Sequence, residues 1–215
     1  MGAAPMRTRI KICGITRPQD ARAAAQAGAD AIGLVFYPRS PRFLSAERAV
    51  EIRDALPPFV QSVALFVNPD AAQVAQVIGR LRPALLQFHG EEEPEFCAQF
   101  GMPFVKAARV RPGVDALEYL RRFPRAAAWL FDSYVPEYGG VGESFDWSLL
   151  PALSPELGDR PVILSGGLAR ENVARAIHRV RPWGVDVSSG VESAKGIKDP
   201  AKIAAFIAEV RNADV

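Results

Sequence analysis

Short apolar runs alternate with capped or amphipathic segments along almost the whole chain, and that rhythm is the tightest constraint on its fold. The runs are Arg9 to Cys13, Ala31 to Phe36, Ser62 to Val67, Ala84 to Phe88, Phe104 to Ala108, Ala127 to Phe131, Pro161 to Leu164 and Gly184 to Val187. Helical segments are expected between them. The first follows a Thr16 cap and Pro18 and stops at Gly28; others run from Ser45 to Leu56, Asn68 to Leu81, Pro94 to Phe100, Ala116 to Phe123, Asp146 to Leu153, Ala169 to Val180 and Pro200 to Arg211. No pair of strands carries a hairpin signal, and no Gly-x-Gly-x-x-Gly turn follows the first strand. The count predicts an α/β chain folded as one closed, parallel (β/α)8 TIM barrel over residues 8–215, behind a disordered tail at 1–7.

Composition narrows the setting more than the chemistry. At 215 residues, 49% hydrophobic and 23% charged, the chain can bury a full core, and a formal net charge of +2 spread without runs gives no nucleic-acid stripe. Its two cysteines, Cys13 and Cys97, form neither a Cys-x-x-Cys pair nor a zinc spacing. A reducing, cytoplasmic location is the resulting expectation. No apolar stretch approaches the ~18 residues of a membrane span, and neither a metal nor an obligatory protein partner is expected.

In such a barrel the active site lies at the carboxyl ends of the strands, where Cys13, His89, Asp132, Ser165 and Ser188 fall. Strand alternation pairs Lys11 with Cys13, Gln87 with His89 and Asp186 with Ser188 on common faces. Strands one and eight meet where a barrel closes. A lysine inside it needs a partner, so a buried Lys11 to Asp186 ion pair is expected beneath Cys13. Ser165-Gly166-Gly167-Leu168 and Ser188-Ser189-Gly190 supply backbone N–H groups after the last two strands, the usual phosphate position of the fold. A phosphorylated small molecule is the predicted partner. The reaction stays open at this point, because a free cysteine is more often a small buried hydrophobe, an aspartate there can simply cap its loop, and Arg42 is one loop arginine among many.

A family resemblance bears on that choice. The chain strongly resembles the N-(5'-phosphoribosyl)anthranilate isomerases of tryptophan biosynthesis, nearly end to end. The resemblance is carried by Lys11-Ile-Cys-Gly-Ile-Thr16, Gly33-Leu-Val-Phe-Tyr-Pro with Ser40-Pro-Arg42, Phe66-Val-Asn68, Gln87-Phe-His-Gly-Glu91, Phe131-Asp132 with Gly139-Gly140 and Phe145-Asp-Trp147, Ser165-Gly-Gly-Leu168 and Asp186-Val-Ser-Ser-Gly-Val-Glu192. It implies Cys13 as general base, Asp132 as general acid, Arg42 as contact for the anthranilate carboxylate, and Gly166, Gly167, Ser188, Ser189 and Gly190 around the phosphate. Lys11, His89 and Asp186 are expected in support.

The implied reaction is an Amadori rearrangement that needs no cofactor, since the substrate's own amine serves as electron sink. The chain departs from the family at Val141, between Gly140 and Gly142, where threonine or serine is usual, and at Lys195, where proline is common. An indole-glycerol-phosphate-synthase-like cyclase is the rival enzyme and would need Lys106 as its acid. A sugar-phosphate epimerase would need metal ligands that the sequence does not offer. A non-catalytic phosphosugar-binding protein is the rival of another class, and the presence of both Cys13 and Asp132 argues against it.

Overall fold

The structure is a computed structural model and describes residues 7–111, 113–133 and 160–214. Eight strands, β1 (Arg9–Cys13), β2 (Ala31–Val35), β3 (Gln61–Phe66), β4 (Leu85–Phe88), β5 (Phe104–Val110), β6 (Ala128–Ser133), β7 (Val162–Leu164) and β8 (Gly184–Val187), form a closed barrel in chain order. Every neighbouring pair is parallel, and β1 closes the ring by pairing with β8 in the register that sets Lys11 beside Asp186. The expected barrel is therefore the observed one.

The helices that cover it are α1 (Pro18–Ala27), α2 (Ala46–Asp54), α3 (Ala71–Leu81), α4 (Pro94–Ala98), α5 (Ala116–Arg121), α6 (Arg170–Val180) and α7 (Pro200–Ala213). Local chemistry explains most ends. Ser45, Asp70, Asp115 and Asp199 each accept from the first-turn backbone of the helix they precede. Thr16 does not cap α1; Arg17 stands at that position and the Thr16 hydroxyl donates to the Gly196 carbonyl. Helix α3 starts three positions after Asn68 because Asn68 is left-handed, at φ 46°, with its N–H bonded to Glu92. The expected helix at 146–153 and the glycine-rich segment at 134–145 lie outside the described residues, as do residues 1–6. Arg7, the last residue of the expected tail, is paired with Asp30, and Thr8 N–H bonds Asp214 at 3.0 Å.

Alternation divides the strand side chains into two cores. The outward set, including Ile10, Ile12, Leu34, Phe66 and Phe88, packs under the helices, with Phe36, Phe66 and Phe88 stacked at 5.5 and 6.0 Å. The inward set builds an apolar layer from Val105, Ala107, Ala128, Leu130 and Ile163, with a second ring at Cys13, Val35, Leu65 and Val67 nearer the carboxyl ends. Between the two, Lys11, Gln87 and Asp186 are polar yet buried. One unforeseen element follows β8. Ser189–Val191 makes a single 3-10 turn, and β9 (Glu192–Ala194) then pairs antiparallel with β10 (Ile197–Lys198) across a left-handed Gly196.

Candidate active site

Inward residues at the carboxyl ends of the strands surround one polar cavity, which has Cys13, His89, Asp132, Ser165 and Ser188 in its wall. Lys11 lies below the thiol. Its Nζ donates to Asp186 Oδ2 at 2.7 Å and lies close to the Cys13 thiol beside Gly33. Burial works against the ammonium, but the charges of Asp186 and Cys13 outweigh it, so Lys11 stays a cation. Burial pushes the Cys13 thiol above the ordinary thiol range, and Lys11 pulls in the opposite direction. Asp186 keeps Oδ1 as a buried acceptor with no hydrogen-bond partner among the described residues, while its residue forms part of the cavity wall.

The meeting of Lys11 and Cys13 depends on a glycine. A Cβ at Gly33 on the adjacent strand would lie 2.6 Å from Cys13 Sγ and 3.0 Å from Lys11 Nζ, so only a residue without a side chain leaves room for both. Sequence reasoning saw Gly33 only as part of a motif. No local signal could have revealed its purpose, since the clash is with the neighbouring strand.

Across the cavity, Asp132 accepts from His89 Nε2 at 2.9 Å through Oδ2 and from Ser133 N–H at 2.9 Å through Oδ1. Gln87 Nε2 stands 3.1 Å from His89 Nδ1; with the amide donating there, the ring proton resides on Nε2 and points at Asp132. Gly166, at φ 87°, lets the β7 loop turn directly against this acid, since a Cβ would lie 2.4 Å from Ser133 N.

Gly166, Gly167, Ser188 and Ser189 all border the cavity. Asn172 at the start of α6 ties down the first of these loops, accepting from Ala169 N–H and donating to the Gly167 carbonyl, both at 2.9 Å. Gly190 is behind the serines in the 3-10 turn, against the Leu168 backbone, and does not line the cavity.

Arg42 also borders the cavity, but most of its fork is engaged. Nε and one terminal nitrogen grip Glu192 at 2.7 and 2.8 Å, and the side chain is buried. Sequence reasoning missed that partner, and it missed Arg109, which reaches the rim because β5 runs two residues past its expected end and which pairs with Glu91. Lys106, the acid that a cyclase would need, points the other way. It is fully buried outside the barrel, bonded to Glu92 at 2.7 Å and the Gly90 carbonyl at 2.6 Å, beneath Phe123 and Tyr119. Cys97 is equally remote, on α4, with its thiol pushed up to about 12 by burial. Among the described residues no cluster of His, Cys, Asp and Glu could hold a metal ion, and no helix is long and apolar enough to cross a membrane.

A closed parallel barrel with a polar cavity at the strand ends, holding a thiol, an acid and two glycine-serine loops, defines the class as a (β/α)8-barrel enzyme. Comparison with known proteins then specifies the family. Residues 10–209 match the family model of N-(5'phosphoribosyl)anthranilate (PRA) isomerase, and the chain belongs to that family of isomerases. It is 53% identical over 210 residues to the N-(5'-phosphoribosyl)anthranilate isomerase of Dechloromonas aromatica, covering 97% of this chain and 99% of the relative. Identity to the Leptothrix cholodnii enzyme is 54%, over 98% of this chain and 94% of the relative. Among solved structures, phosphoribosyl anthranilate isomerase from Thermotoga maritima superposes with a TM-score of 0.87 at 42% identity, covering 95% of this chain and 99% of the other. A phosphoribosyl anthranilate isomerase in complex with reduced 1-(o-carboxyphenylamino)-1-deoxyribulose 5-phosphate superposes at 0.84 and 39% identity, covering 95% and 99%.

Proposed function

We propose that the chain converts N-(5-phosphoribosyl)anthranilate into 1-(2-carboxyphenylamino)-1-deoxyribulose 5-phosphate, with Asp132 as general acid and Cys13 as general base. One observation carries this reading: Cys13 and Asp132 face one cavity from different sides, the thiol beside the Lys11 ammonium and the carboxylate bonded to His89. Asp132 protonates the ring oxygen of the sugar as the C1 to oxygen bond breaks, and the nitrogen lone pair forms the iminium. The iminium acidifies the C2 hydrogen, which the Cys13 thiolate removes, leaving the electron pair in the C1=C2 bond of an enolamine. Loss of the C2 hydroxyl proton and protonation at C1 then give the ketone. Each positioned transfer supplies roughly 10² to 10⁴ in rate, and the cycle is redox-neutral without a cofactor.

The remaining roles follow the geometry. Lys11 stabilises the thiolate, Asp186 holds Lys11, and His89 orients Asp132. The loops at Gly166, Gly167, Ser188 and Ser189 receive the phosphate, supported by the phosphorylated product analogue carried by a relative, and Arg42 meets the anthranilate carboxylate. Gly190 contributes by letting the two loops close on each other. In a reducing cytoplasm Cys13 stays reduced. The direct test is turnover of phosphoribosylanthranilate by the purified protein, followed as loss of substrate fluorescence. Turnover at a rate typical of enzymes, removed by Cys13→Ser, is expected; no turnover would overturn the reading.

A further inference from the structure

The hairpin after β8 places a buried acid between the two anion-binding ends of the cavity. Glu192 is nearly buried and serves two cations at once, accepting from Arg42 at 2.7 and 2.8 Å and from Lys198 Nζ at 2.9 Å. Lys198, 1% exposed, also donates to the Ser188 carbonyl at 3.0 Å and to its hydroxyl at 3.3 Å. A continuous chain of bonds therefore runs from Arg42, in the loop after β2, through Glu192 and Lys198 to Ser188, in the loop after β8.

Both ends of this chain border the cavity, and its middle is sealed from water. Burial works against the Glu192 carboxylate, yet the Arg42 and Lys198 bonds prevail and hold it ionised; Lys198 is itself pushed down by burial against the pull of Glu192. Two cations share one carboxylate, so the cluster carries an excess positive charge that a ligand anion in the cavity would offset. The hairpin is anchored on three sides besides. The Gly196 carbonyl accepts from Thr16, Lys198 N–H bonds Asp20 at 3.2 Å, and the Glu192 carbonyl accepts from Lys202 Nζ at 2.8 Å. Such a clamped element resists the sliding of one loop relative to the other.

We propose that Glu192 and Lys198 are positioning residues that fix the span between Arg42 and the Ser188 loop, so the β9–β10 hairpin sets the length of the doubly anionic substrate the cavity accepts. The proposal rests on the reading of Arg42 as the carboxylate contact and of the Ser188 loop as part of the phosphate site. Glu192→Asp retains the charge and shortens the reach by one methylene, so it keeps the fold while moving the fork. For Glu192→Asp, KM for phosphoribosylanthranilate should rise about tenfold with kcat changed less than threefold, while binding of inorganic phosphate, which occupies one end alone, stays within twofold. Arg42→Ala should raise KM by a similar factor, and the double variant should fall well short of the product of the two single effects, because Glu192 acts on the carboxylate end through Arg42.

Unchanged KM in Glu192→Asp, or a double variant whose effects multiply, overturns the positioning role. Unchanged KM in Arg42→Ala overturns the underlying carboxylate assignment instead, so the two failures are distinguishable. Lys198→Met provides an independent arm: inorganic phosphate should bind at least fivefold more weakly as Ser188 loses its tether, and binding within twofold of the parent would remove Lys198 from the proposal.

Discussion

The two ends of the barrel are built from the same eight strands and differ in almost everything else. At the carboxyl end the inward residues are a thiol, a histidine, an aspartate and serines around a cavity of about 110 Å³. At the amino end Val63, Leu85, Val105, Ile163 and Gly184 face a second hollow, rimmed by Trp183 and a wholly exposed Phe59. Size alone does not choose between them. Convergence of paired polar groups chooses the right one, because a buried charge held near a cavity costs free energy unless partners or a ligand offset it. Lys11 and Gln87 belong to both, bordering the lower hollow while serving Cys13 and His89 above.

Substitutions can break this contrast, the strongest at the carboxyl end. Cys13→Ser and Asp132→Asn should each lower kcat by about 10² to 10⁴ with the melting temperature little changed. Steady-state kinetics on both variants check this, and kcat near the parent value in both would remove the acid–base assignment. Gly33→Ala comes next. Its methyl must displace Cys13 Sγ, and a shift of that size should cost about 10² in kcat with far-ultraviolet circular dichroism unchanged.

Lys11→Met tests the floor. Lys11 lowers a thiol pKa that burial has raised, so its removal moves that pKa further up. Activity that needs the thiolate then falls at neutral pH, by about tenfold for each pH unit of displacement, and returns as pH rises. A pH profile of kcat/KM whose rising limb stays in place would show that Lys11 does not tune the base. The smallest effect belongs to the other end of the barrel. Phe59 adopts a left-handed backbone at φ 72°, so Phe59→Gly should stabilise the fold by about 0.5–1 kcal/mol in chemical denaturation. Its kcat should stay within twofold; a larger loss would mean that the amino end takes part in turnover.

Much of this contrast is legible in the order of residues along the chain. Strand alternation places Lys11 and Cys13 on one face, and barrel closure makes β1 and β8 neighbours, so Asp186 is the available partner for Lys11. The same alternation also carries information on Lys106, since Val105 and Ala107 inward leaves Lys106 outward, toward α5. Helix limits are less legible at Thr16 and Asn68, where a hydroxyl and a backbone N–H are drawn to distant groups, Gly196 and Glu92.

By itself the sequence determined the barrel, its order and the strand ends where chemistry belongs, because period and caps act over a few residues and each strand's two faces follow from its own backbone. Only the tertiary structure decided that Arg42 is gripped by Glu192, that Gly33 makes the space for the Lys11–Cys13 contact, and that Lys198 tethers Ser188. Arg42 and Glu192 are 150 positions apart. Their distance in space is set by the packing of loops from opposite ends of the chain, which no local pattern records.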